Sequence, residues 1–168
     1  MAEIGELRRN SWLAARFAIK KLGHGLNPTA SLESIETSRD KSSPPCCIFP
    51  DGRSLPVSVS HDNWYVIAAT SPPGSKVGVD IEPISQRCVK VINHFFPGWT
   101  DDPEKSTRLW TACEAVAKCS QTHLLTVLRT ARAVSKPEYL MQVELDNKPS
   151  YIVRQTLFEN RILSLVSS

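Results

Sequence analysis

The sequence contains no apolar run approaching the roughly 20 residues that a membrane-crossing helix needs, and its first residues carry no signal-peptide pattern. A soluble, cytoplasmic protein is expected, with no membrane association. Runs of Lys and Arg interleaved with aromatics are missing too. Twenty basic residues against 17 acidic ones leave a net charge of only +3. That excess is too mild for nucleic-acid binding, though it suits an anionic ligand or an acidic protein partner. No Cys-x-x-Cys pair occurs. The five cysteines (Cys46, Cys47, Cys88, Cys113 and Cys119) are odd in number, so neither a disulfide framework nor a zinc site is indicated. His24, His61, His94 and His123 show no ligand spacing. A phosphate-binding Gly-x-x-x-x-Gly-Lys-Ser/Thr loop, a Gly-x-Ser-x-Gly elbow and a dinucleotide fingerprint are all absent, which removes the commonest nucleotide and hydrolase chemistries.

What is present is an ordinary globular composition. The chain has 168 residues, 41% hydrophobic and 22% charged, enough for one compact domain or two small packed halves. Residues 7–22 predict an amphipathic helix, with Leu7, Leu13, Ala14, Phe17 and Leu22 on one face and Gly23 and Gly25 as its stop. Residues 27–56, rich in Ser, Pro and Asp, read as a long connection with one short strand near 34–37. Strands are expected at 57–60, 64–70 and 77–82, the last stopped by Pro83. Pro103 opens a second helix over 103–119, and 120–134 extends the helical region. Strands at 139–145, 151–158 and 161–166 complete the reading. The two helices are alike: Trp12-Leu-Ala-Ala-Arg-Phe-Ala-Ile-Lys20 and Trp110-Thr-Ala-Cys-Glu-Ala-Val-Ala-Lys118 each place a Lys eight positions after an aromatic. One loose match is a weak sign of duplication, of the kind a two-lobed protein shows.

The chemistry-bearing residues gather in three places. Asp80 and Glu82, two apart in an extended segment, emerge on one face, where they repel unless a cation lies between them. Glu114 and Lys118, four apart on a helix, share a face. Three hard oxygen ligands from a strand and a helix suit Mg²⁺ completed by water and phosphate oxygens. By spacing alone, a solvated turn and a surface ion pair are the commoner explanations. Ser60-His61 ends a strand just before Asp62-Asn63. Neighbours in an extended chain point to opposite faces, so the pair is no catalytic dyad. A hydroxyl, an imidazole and backbone N–H groups at a strand end either bind phosphate or merely form a turn.

The order of these segments carries more. Ser58-Val-Ser-His61, then a strand ending in Ala68-Ala69, then Val77-Gly-Val-Asp-Ile-Glu82, then Trp110-Thr-Ala-Cys-Glu-Ala-Val-Ala-Lys118 resembles the signature of the 4′-phosphopantetheinyl transferases. The helix beginning Trp12-Leu-Ala-Ala-Arg16 looks like that family's early basic helix. The resemblance spans about residues 8–118. It implies an α+β fold of two similar lobes, about 1–75 and 76–168, each a small antiparallel sheet on a long helix with the active site between them. It also implies transfer of the 4′-phosphopantetheine group of coenzyme A to a serine of an apo acyl or peptidyl carrier protein, releasing 3′,5′-ADP. The implied roles are Mg²⁺ binding for Asp80, Glu82 and Glu114, a base for Glu114, pyrophosphate contact for Lys118, and contact with the 3′-phosphoadenosine end for Arg16, Ser60 and His61. Three departures stand out. Cys113 occupies the position before Glu114 where the family carries a lysine. The segment after Lys118 has no glycine, and the usual Gly-Lys-Pro stretch is blurred into 39–44. The alternative is a degenerate coenzyme A-binding or structural domain of a polyketide or fatty-acid synthase, without transfer.

Overall fold

The computed structural model describes residues 2–38, 44–135, 139–146 and 148–168, with side chains from residue 9 onward except those of residues 134 and 135. The blurred stretch at 39–43 and the side chains of Leu7 and Arg8 lie outside the described residues. The protein is α+β, with four helices and two antiparallel sheets among the described residues. It divides into two compact units, Met1–Lys76 and Val77–Ser168.

In the first unit, helix α1 (Ala2–Leu26) lies on a four-stranded sheet of β1 (Glu36–Ser38), β2 (Cys46–Ile48), β3 (Ser54–His61) and β4 (Val66–Thr70), ordered β1-β2-β3-β4. The helix does not stop at Gly23 as expected but continues through Gly25. Gly23 has another task. A Cβ there would stand 2.6 Å from Cys47 Sγ and 3.2 Å from Ile35, so the missing side chain lets the helix sit down on β2. The buried stripe is correspondingly rotated from the expected one. Ile19 and Gly23 face the core with Leu22 partly buried beside them, whereas Leu13 and Phe17 remain about half exposed. Residues 27–56 hold more structure than a long connection, because Asp51-Gly52 turns β2 into β3: Gly52 takes φ 83°, and Asp51 accepts the Arg53 backbone N–H at 3.0 Å. Strand β4 starts two residues late because Asp62 Oδ1 accepts the N–H groups of both Trp64 and Tyr65 at 2.7 Å, which holds 62–65 in a turn.

In the second unit, β5 (Val77–Pro83) pairs with the last strand, giving the order β5-β9-β8-β7-β6 with β6 (Arg132–Ser135), β7 (Leu140–Glu144), β8 (Tyr151–Phe158) and β9 (Arg161–Ser167). Three helices fill the long crossover from β5 to β6: α2 (Gln86–Phe95), α3 (Pro103–Ser120) and α4 (Leu124–Thr130). Helix α3 starts where Pro103 and the Asp102 cap dictate, the Asp102 carboxylate accepting from Glu104 N and Lys105 N at 2.8 and 3.3 Å. It ends at Gln121, whose φ of 54° makes it a left-handed cap. The expected helical extension over 120–134 therefore breaks at 121–123, resumes only as α4, and gives way to strand β6. Strands β8 and β9 join through Glu159-Asn160, both at positive φ, the two-residue turn whose twist matches a hairpin. The core lies between α3 and the sheet, from Leu109, Ala112, Cys113 and Val116 across to Val143, Val153 and Val166.

Candidate functional site

The site begins with a glycine. Adding a Cβ to Gly78 would place it 1.9 Å from the Ala115 carbonyl oxygen, so β5 runs against the bare backbone of α3. Side chains alternate along a strand, hence Asp80 and Glu82 follow Gly78 on the α3-facing side. On the helix, Glu114 and Lys118 stand one turn apart. The result is a carboxylate–ammonium cluster across the β5–α3 contact. Lys118 Nζ donates to Asp80 Oδ1 at 2.8 Å and to the Val79 carbonyl at 3.0 Å, and it lies 3.9 Å from Glu114 Oε2. Asp80 is almost wholly buried, its side chain 3% exposed, while Glu114 and Lys118 remain 25% and 31% exposed. Asp80 thus sits at the base of the cluster rather than in an open cleft. Its ammonium partner is what makes a carboxylate tolerable there.

Glu114 carries the electrostatic strain. Burial first, and then the nearby Asp80 charge, push its carboxyl up to about 7, with Glu82 adding to the rise and Lys118 and Arg87 opposing it. A group titrating near neutrality in a partly open position is suited to accept and release a proton. A recess of about 250 Å³ shares Glu82 with the cluster and is otherwise lined by residues that include Pro83, Arg87, Val91 and Trp110. Three carboxylates and one lysine in mutual range leave excess negative charge, and their oxygens are hard donors. That chemistry fits a divalent cation such as Mg²⁺. The side chains do not already stand as a ligand cage: among the described residues no group of three or more His, Cys, Asp or Glu is poised to hold a metal. Lys118 occupies the space between Asp80 and Glu114 instead.

Cys113, beside Glu114 in sequence, points elsewhere. It is fully buried in the helix–sheet core, and burial raises its thiol to about 12. The position where the resemblance would place a lysine is here a core position.

Three further candidates lie in the first unit. Arg16 stacks on Trp12 of its own helix, 4.7 Å from the ring centroid to the guanidinium carbon. Ser60 is buried and His61 exposed at the end of β3, on opposite faces as an extended chain requires. A cavity of about 530 Å³ in that unit lies around the far end of β3. Leu26, Phe49, Leu55, Pro72 and Pro73 wall it, and Arg53, the cation among its described lining residues, is bound to Asp51 at 2.7 Å. Its apolar walls do not suit a polyanion, and the carboxylate cluster is the better candidate despite the smaller recess. Sequence reasoning missed Arg87 and the helix α2 that carries it. The signal was available in Cys88, Val89 and Ile92, spaced i, i+1, i+4 after Ser85, which are the buried residues of that helix.

No protein-family model matches the chain, and a search of the curated proteins finds no match. Among the described residues no helix is long and apolar enough to cross a membrane.

Proposed function

We propose that the protein is a 4′-phosphopantetheinyl transferase that moves the phosphopantetheine arm of coenzyme A onto a serine of an apo acyl or peptidyl carrier protein. The observation that carries this reading is the convergence of Asp80, Glu114 and Lys118 across the β5–α3 contact, on segments that match the family's order. On this reading the two units are the two lobes of the family's fold, and coenzyme A is the bound substrate. Arg16, Ser60 and His61 then meet its 3′-phosphoadenosine end, and Lys118 meets its pyrophosphate. Asp80, Glu82 and Glu114 would hold Mg²⁺, which when bound supplies neutralisation of the pyrophosphate charge.

The residues of the chain account for the remaining chemistry. Glu114 takes the proton from the carrier serine hydroxyl, directly or through a water. The serine oxygen bonds to the β-phosphorus as the bond to the leaving phosphate oxygen breaks, and 3′,5′-ADP departs with the electron pair. Lys118 balances charge on the phosphates, so that positioning and electrostatics supply most of the rate. Isothermal calorimetry of coenzyme A binding with and without Mg²⁺ tests the assignment: Asp80→Asn should abolish the Mg²⁺-dependent part. Unchanged Mg²⁺-dependent binding in that variant would remove Asp80 from the site.

A further inference from the structure

Lys118 does more than flank the carboxylates. Its ammonium makes three contacts at once: 2.8 Å to Asp80, 3.0 Å to the Val79 carbonyl and 3.9 Å to Glu114. A divalent cation held by Asp80 and Glu114 needs the space where that ammonium stands, and the two positive charges would repel at such range. The lysine is long, unbranched and 31% exposed, so its head has a route to solvent while its stem stays on the helix. We infer that Lys118 is the resident counter-ion of the carboxylate cluster in the cation-free protein, and that a divalent cation takes its place and releases its ammonium toward the incoming phosphates.

The inference rests on the metal assignment above and adds a regulatory step to it. Before the cation arrives Lys118 offsets part of the cluster's negative charge and is tied down. Afterwards the same lysine is free to bind an anion. Cation and diphosphate therefore bind cooperatively, and neither charge is left uncompensated in the buried part of the site.

The test uses the intact wild-type chain and needs no activity. A lysine-acylating reagent followed by mass spectrometry gives the labelling rate of each lysine with and without saturating Mg²⁺. Lys105, exposed on the same helix, serves as reference. Labelling of Lys118 relative to Lys105 should rise severalfold when Mg²⁺ is added; an unchanged ratio overturns the exchange. Mn²⁺ calorimetry then separates this failure from failure of the metal assignment. Lys118→Met should bind Mn²⁺ about tenfold more tightly than wild type, the worth of one charge-assisted contact. It should also exceed Arg87→Met, which removes a more distant charge that acts on Glu114. Equal affinity in the two variants overturns the exchange while keeping the metal. No Mn²⁺ binding by either wild type or Lys118→Met overturns both.

Discussion

Replacing Gly78 by alanine should damage the fold and the site together, because one contact seats both. The added Cβ would lie 1.9 Å from the Ala115 carbonyl oxygen and 2.8 Å from Cys119 N. Carbon–oxygen contacts relax at about 3.3 Å, so α3 and β5 must part by roughly 1.4 Å at this point. Both partners are backbone, and no side-chain rotamer can absorb the clash. Overpacking of this kind costs about 1–3 kcal/mol, and more where the backbone must move. The same displacement carries Lys118 Nζ out of reach of Asp80, adding the loss of a largely buried ion pair. A total of about 4 kcal/mol corresponds to a fall in melting temperature of roughly 8–16 °C for a chain of this size. Thermal denaturation followed by far-UV circular dichroism gives the number. Gly25→Ala is the control: it lies in α1 with nothing within 4 Å of the added Cβ, and it should stabilise by up to about 1 kcal/mol through helix propensity. If Gly78→Ala melts within 2 °C of wild type, the account of how β5 and α3 are joined is wrong.

Cys113→Lys should lower stability by several kcal/mol without improving coenzyme A binding, since it forces an ammonium into a fully buried helix face. Urea denaturation and calorimetry on that one variant check both halves, and tighter binding in a protein of normal stability would contradict the core placement. Stability of the metal-free protein should fall as pH rises from about 4.5 to about 7. The folded-state pKa of Glu114 is raised from 4.5 to about 7, so the folded protein holds a proton that the unfolded chain has already lost. The loss is complete above pH 7 and amounts to at most about 3 kcal/mol, less once solvent screening of a partly exposed group is allowed for. Glu114→Gln should flatten that slope in urea titrations at several pH values, and an unaltered slope would show that another group is responsible.

The sequence made the second unit easier to read than the first. Strand β5 was visible in Val77-Gly-Val-Asp-Ile-Glu82 because an apolar alternation ends at a proline, and α3 because Pro103 marks its start. Strands β8 and β9 were legible through period-2 burial, seen in the inward Tyr151, Val153 and Gln155 and the inward Ile162, Ser164 and Val166. In the first unit the local signals pointed elsewhere. Gly23 reads as a helix stop, yet tertiary packing against Cys47 makes it a helix residue. Leu13 and Phe17 read as a buried stripe, but the sheet lies under Ile19 and Gly23. The three-residue strands β1 and β2 are too short for any periodicity, and the Asp51-Gly52 turn signal by itself does not show which segments on either side of it pair. In the site, the strand and helix spacings put Asp80 and Glu82 on one face and Glu114 and Lys118 on another. That the two faces meet follows from Gly78, a close approach no spacing rule reveals. The orientation of Cys113 lay beyond helical periodicity for the same reason, since it borders the Glu114 face and only packing decides which way it turns.

The central claim is transfer, and a single assay addresses it. The wild-type protein is incubated with coenzyme A, Mg²⁺ and a panel of purified apo acyl and peptidyl carrier proteins, and each carrier is weighed intact by mass spectrometry. Asp80→Asn, shown by its melting curve to be folded, is run alongside. The account predicts that at least one carrier gains the mass of a phosphopantetheine group with the wild type and Mg²⁺, and that none does with Asp80→Asn or without the metal. No mass gain on any carrier, or equal gain with wild type and Asp80→Asn, would contradict it.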